Sequence, residues 1–174
     1  MDAKWITVTI DSVRVSLVSA HRLVVLKDDD ERFLPIWIGP FEQEAITIAL
    51  QGTQPARPLT HDLLKALIAE VGGKVKHIAV TDLRDDTFFA QIVMDVAERH
   101  VTLDARPSDA IALAVRLDIP IYVDETVMAR AAIRPSKDTE GGAEEVEEKL
   151  DAFRDALQDL DLDSLGKDDP PKGN

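Results

Sequence analysis

Apolar and polar residues alternate from Trp5 to Leu17, but the alternation changes phase partway. Ile6, Val8 and Ile10 fall on even positions, whereas Val13, Val15 and Leu17 fall on odd ones. Successive side chains of a strand point to opposite faces, so this shift predicts a strand with a bulge near Asp11 and Ser12. Ser19-Ala20-His21 reads as a hairpin turn into a second strand over 23–26. The apolar run 33–38 reads as a third, ending at Gly39-Pro40. The acidic run Lys27-Asp28-Asp29-Asp30-Glu31 reads as a solvated loop.

The period then changes from two to between three and four. Pro40 suits the first position of a helix, Glu42 and Glu44 sit in its favourable first turn, and Gly52 suits its stop. Ala45, Ile46, Ile48, Ala49 and Leu50 give that helix a broad apolar face. A second helix is capped by Thr60 in this reading, carries Leu63, Leu64, Leu67, Ile68 and Val71, and stops at Gly72-Gly73. Strands over 75–81 and 87–94 form a hairpin whose turn gathers Asp82, Arg84, Asp85 and Asp86. A strand over 100–103 delivers Asp104 to a sharp turn, and Pro107 opens a helix. Ala110 to Val115 is unbroken apolar sequence, which places that helix inside the protein, with Ser108 or Asp109 available as its cap. A short strand over 119–123 follows. Pro120 places it at a sheet edge or at the strand's own start. Asp124 then caps a short helix over 125–131.

These elements predict an α+β fold: a mainly antiparallel, twisted sheet with helices packed against it, over residues 1–133. Residues 134–142 have linker composition. Val146, Leu150, Phe153, Leu157 and Leu160 then mark one apolar stripe on an acidic amphipathic helix over 143–162, and 163–174 reads as a disordered tail.

Composition narrows the chemistry. A chain of 174 residues, 45% hydrophobic, suits one domain with a proper core. The absence of cysteine excludes disulfides, thiolate metal sites and a cysteine nucleophile. With no apolar run of membrane-spanning length and no leader-like N-terminus, a cytoplasmic protein without a membrane partner is the expectation. The formal net charge is -13, and residues 137–174 hold 13 of the 33 acidic residues but only 5 of the 20 basic ones. The remainder is still acidic, so a broad basic face for nucleic acid is disfavoured. An encounter bridged by a divalent cation stays open. No dinucleotide fingerprint, phosphate loop, serine elbow or zinc-protease motif occurs.

The run Asp104-Ala105-Arg106-Pro107-Ser108-Asp109-Ala110-Ile111-Ala112-Leu113-Ala114 resembles the signature of the bifunctional nuclease domain family. Three further segments resemble the same family in the same order: Leu34-Pro35-Ile36-Trp37-Ile38-Gly39-Pro40-Phe41-Glu42, then Arg57-Pro58-Leu59-Thr60-His61-Asp62-Leu63-Leu64, then Asp82-Leu83-Arg84-Asp85. The resemblance covers most of residues 5–133 and implies hydrolysis of DNA and RNA, with nucleic acid as the substrate partner. Two positions depart from the family pattern: Asp86 stands where glycine is common and Phe89 where tyrosine is common.

Phosphodiester cleavage needs an activated water and stabilisation of charge on phosphate oxygens. Clustered carboxylates holding Mg²⁺ or Mn²⁺ can supply both, with arginine on the phosphate. The candidate metal ligands are Asp82, Asp85, Asp104 and Asp109, and the candidate phosphate ligands Arg84 and Arg106. Asp104, Asp109, Arg106, His61 and Glu42 are the candidate catalytic groups, with His61 or Glu42 as the base. The bland reading makes Arg106 a structural ion-pair partner of Asp104 or Asp85. The domain is then a non-catalytic binding or assembly module whose acidic helix recruits a partner. A homo-oligomer is expected from the 119–123 strand, taken as an edge, and from the apolar helix over 41–50.

Overall fold

The computed structural model describes residues 4–15 and 21–134. The turn expected at Ser19-Ala20-His21 falls mostly outside the described residues. So do the linker, acidic helix and tail expected beyond Arg134.

A seven-stranded sheet runs in the order β3-β2-β1-β7-β4-β5-β6, built from β1 (Trp5–Val15), β2 (Arg22–Asp28), β3 (Phe33–Ile38), β4 (Gly73–Arg84), β5 (Thr87–Val96), β6 (Arg99–Ala105) and β7 (Ile121–Asp124). Every neighbouring pair is antiparallel except β4 and β7. The helices are α1 (Pro40–Leu50), α2 (Thr60–Glu70), α3 (Pro107–Leu117) and α4 (Glu125–Ala131). This is the α+β architecture that the pattern predicts. The register of β1 against β2 shifts between Ile10 and Ser12, the place where the apolar phase changes.

One sheet face carries Val8, Val24, Leu26, Leu34, Ile36, Ile78, Val80, Ala90, Ile92, Met94, Ile121 and Val123 into a common core with α3. Ala110, Ile111, Ala112, Leu113 and Ala114 are all essentially inaccessible to solvent. Burying Ile111 and Leu113 alone contributes about 1.5–3 kcal/mol each. The first turn of α3 is thus carried on a helix that the core holds in place. α1 and α2 flank it, and Ile46 and Ile68 reach the same core.

Four expectations need correction. The strand after Pro120 is not an edge: β7 lies between β1 and β4, and Pro120 only precedes it, where its missing N–H costs no ladder bond. The edges are β3 and β6. Thr60 does not cap α2. Leu59 occupies that position, and its amide donates to Asp62 Oδ2 at 2.9 Å, half of a capping box. Neither Ser108 nor Asp109 caps α3, whose cap position is Arg106 with no side-chain bond. The β4–β5 turn is also tighter than expected. Arg84 pairs with Thr87, leaving only Asp85 and Asp86, both at positive φ, as a two-residue hairpin turn. That geometry favours glycine, and aspartate is among the few residues that tolerate it.

The acidic run at 27–31 is solvated only in part. Asp28 is 5% exposed and takes hydrogen bonds from the Asp30 and Arg32 amides and from Arg32 Nε at 2.6 Å. Arg32 also grips Glu125 with both terminal nitrogens, tying the end of β2 to the start of α4. Ile133 closes the domain through paired backbone bonds to Phe33. Among the described residues no helix is long and apolar enough to cross a membrane.

Candidate active site

The first turns of three helices bring four of the candidate residues together. Asp109, in the first turn of α3, accepts from Arg106 Nε at 2.7 Å through Oδ2 and from Arg106 Nη2 at 3.1 Å through Oδ1. His61, in the first turn of α2, places Nε2 3.2 Å from the same Oδ1. Glu42, in the first turn of α1, forms an ion pair with Arg106, its Oε1 2.9 Å from Nη2. Its carboxylate folds back over Gly39, where a Cβ would collide with it. His61 and Glu42 are largely buried, with side chains 12% and 16% exposed, while Arg106 is 65% exposed.

These groups line a cavity of about 590 Å³ with Phe41, Ala45, Ile48, Pro58 and Leu59. Arg106 also lines an adjoining cavity of about 330 Å³. Two nitrogen positions are left for a ligand. Among the described residues Arg106 Nη1 meets no acceptor and His61 Nδ1 meets no partner. With Nε2–H donated to Asp109, Nδ1 carries the basic lone pair of the ring.

The electrostatics keep Asp109 ionised. Burial pushes its carboxyl up, but hydrogen bonds from Arg106 and His61 outweigh burial and hold it below the usual carboxylate range. Reciprocally, the bonds to Asp109 and Glu42 hold the Arg106 guanidinium above its ordinary value. An ionised carboxylate on Nε2 fixes the imidazole tautomer and stabilises the imidazolium that forms when Nδ1 takes a proton.

The other candidates lie elsewhere. Asp82 and Arg84 pair with each other at 2.5 Å near the end of β4. Phe89 packs its ring 5.2 Å from the Arg84 guanidinium. Asp85 sits in the β4–β5 turn. Asp104 pairs in register with Gln91, between Leu103 and Ala105. Ala105 packs against the core, so strand alternation turns Asp104 to the opposite face of the sheet. Among the described residues no three histidine, aspartate or glutamate side chains are grouped to hold a metal ion. The expected ligand set of Asp82, Asp85, Asp104 and Asp109 therefore does not assemble.

Sequence reasoning passed over Arg116. Its side chain is 5% exposed; Nε donates to Asp62 Oδ1 at 2.7 Å, and Nη1 donates to the Ala45 and Ala112 carbonyls at 2.9 Å each. It thereby ties α1, α2 and α3 behind the cavity. A charged residue at the end of a buried helix was the available signal.

The fold is an α+β domain with this residue cluster at the helix starts, and comparison with known proteins gives its family. The family model of the bifunctional nuclease domain matches residues 24–136, and the chain belongs to that family. An uncharacterized protein of Mycobacterium tuberculosis is 38% identical over 165 residues, covering 93% of this chain and 96% of that protein. Bifunctional nuclease 1 of Arabidopsis thaliana is 34% identical over 110 residues, or 60% of this chain. Bifunctional nuclease 2 of the same plant is 32% identical over 110 residues. The aligned region spans only about a third of each plant protein's length, 34% and 33%.

Proposed function

We propose that this domain hydrolyses phosphodiester bonds of DNA and RNA in the 590 Å³ cavity. The observation that carries the reading is the His61–Asp109 pair set beside Arg106. His61 Nδ1 takes a proton from water as the water oxygen bonds to phosphorus; the P–O bond to the leaving sugar oxygen breaks, and that oxygen takes up a proton from the imidazolium or from solvent, while Asp109 orients the ring and stabilises its charged form. Arg106 Nη1 offers two N–H donors to the phosphate oxygens. Glu42 holds the guanidinium from the α1 side. A positioned base contributes typically 10²–10⁴-fold.

A divalent cation fits this scheme only in a substrate-bridged form. Mg²⁺ commonly binds through one or two carboxylates plus phosphate oxygens, and Glu42 and Asp109 are carboxylates this cavity offers. Such a cation would also offset the repulsion between nucleic acid and a chain of net charge -13.

The test is cleavage of labelled single-stranded DNA and RNA by highly purified protein, with and without EDTA, beside Arg106→Ala and Asp104→Ala. Arg106→Ala is expected to lose activity and Asp104→Ala to keep it. Loss in Asp104→Ala would move the chemistry to the opposite sheet face. A second reading rests on the bonds from Arg106 to both Asp109 and Glu42, which clamp α3 to α1. In that case the domain is a binding or assembly module, Arg106→Ala costs stability, and no preparation cleaves.

A further inference from the structure

We propose that β6 is an interface strand, which pairs antiparallel with β6 of a second copy of this chain and so joins the two sheets into one.

The two edges of the sheet are built differently. β3 carries Pro35, which has no N–H for a further strand, and Ile133 already occupies part of its rim through backbone bonds to Phe33. β6 has no proline, no lysine and no bulge, and its register against β5 runs unbroken from Val96–Arg99 to Ala90–Ala105. Among the described residues no strand pairs with its outer rim. An open, regular strand of this kind is a template for another.

The main chain restricts which pairings are open. Ala97 and Glu98, both at positive φ, form the two-residue turn between Val96 and Arg99. The residues flanking such a turn exchange hydrogen bonds, so Arg99 turns its N–H and C=O towards β5. Alternation then turns those of His100, Thr102 and Asp104 outward. A second β6 has to meet these groups with the same groups of its own. The register that overlaps the whole strand sets Thr102 against Thr102, His100 against Asp104 and Val101 against Leu103 of the second copy.

The side chains are complementary to themselves in that register, which is what selects a second copy as the occupant. His100, Thr102 and Asp104 share the sheet face opposite α3. Asp104 is exposed and has neither a hydrogen bond nor an ion pair among the described residues. The His100 side chain is 66% exposed, with Nδ1 3.1 Å from Asp95 and Nε2 without a partner among the described residues. Pairing brings each Asp104 to the other copy's His100, an opposite-charge pair when the imidazole is protonated, and the two-fold axis repeats the contact. Threonine facing threonine is also a favourable cross-strand pair. On the α3 side, Leu103, 43% exposed, meets Val101. The same register sets Arg99 of the second copy opposite Ala105, the residue before Arg106, and so adds a cation beside the candidate site. The pairing does not depend on the hydrolase reading and uses neither α1 nor α2.

The chain contains no cysteine, so one introduced thiol reports the register. Across a hydrogen-bonded pair the Cα atoms lie about 5.5 Å apart, within the reach of a disulfide. The two Arg99 residues would lie roughly 20 Å apart along the strands, out of that reach. Full-length Thr102→Cys and Arg99→Cys are oxidised side by side with oxidised glutathione and run on a non-reducing gel. Thr102→Cys is expected to form a covalent dimer at an unchanged melting temperature, and Arg99→Cys to stay monomeric. Adding Asp104→Lys to Thr102→Cys places like charges opposite each other and is expected to remove most of the dimer. A monomeric Thr102→Cys, equal cross-linking of the two variants, or a dimer yield untouched by Asp104→Lys would each overturn the pairing.

Discussion

His61 Nε2 and Asp109 Oδ1 lie 3.2 Å apart although 48 residues separate them in the chain. The contact joins the first turn of α2 to the first turn of α3, and it exists because both helices pack on the same sheet face. It makes Asp109 more than a partner of Arg106. Asp109→Asn keeps the shape of the side chain but removes the charge that stabilises an imidazolium. In steady-state cleavage assays it is expected to lower kcat by roughly 10²-fold, with a smaller effect on KM. A kcat equal to that of the parent would show that the pair is only structural.

Acid should unfold the domain through a small set of carboxylates. Asp28 is pushed up by burial, but its bonds to Arg32 and to backbone amides prevail; Asp62 is held down by the Leu59 amide and Arg116. Both therefore end below their ordinary value of 3.8. A depressed carboxylate binds protons less readily folded than unfolded. Its contribution is fully present above 3.8 and is lost as pH falls through the lower folded value. Urea midpoints should hold this contribution above pH 3.8 and lose it progressively as the pH falls below 3.8. Asp28→Asn should lower stability at neutral pH and reduce the acid slope. An unchanged slope would contradict the assignment.

Arg116 is expected to be the costliest single charge to remove behind the cavity. Truncating it leaves Asp62 without its cationic partner and two carbonyls without a donor. Because the Asp62 side chain is 30% exposed, the loss is expected at about 1.5–3 kcal/mol, the scale of a hydrogen bond to a charged group. Chemical denaturation of Arg116→Ala should show a loss of that size, and a change under about 1 kcal/mol would contradict it.

We expect the domain to self-associate through α1 and α2 rather than through β7, which the sheet encloses. Leu63, Leu67 and Val71 recur at four-residue spacing along α2 and its C-cap and are more than half exposed, and Phe41 at the start of α1 is 81% exposed. Light scattering should find an oligomer that Leu67→Lys shifts towards the monomer. A monomeric parent protein would reject the expectation.

Much of the fold was legible because one signal, the apolar period, governs it. The phase change at Asp11 and Ser12 gave the bulge, and the run from Ala110 to Val115 gave the buried helix. Sheet order was not legible. β7 is short and follows a proline, which locally resembles an edge, and only its pairing with both β1 and β4 makes it central. The site was legible by composition and not by geometry. Glu42, His61, Arg106 and Asp109 were among the candidates and do meet. Asp104 lies only five residues from Asp109 but on a strand, where one step in sequence decides the face. Four aspartates in the right motifs therefore suggested a metal cluster that strand alternation and a two-residue turn keep apart.

The central claim is that His61 is the base. The measurement that tests it most directly is the single-turnover cleavage rate of one labelled oligonucleotide by the parent protein and by His61→Ala, purified side by side under saturating enzyme. The account predicts a rate lower by about 10²–10⁴-fold in His61→Ala, with the melting temperature and oligonucleotide affinity retained. Equal rates in the two proteins would contradict it.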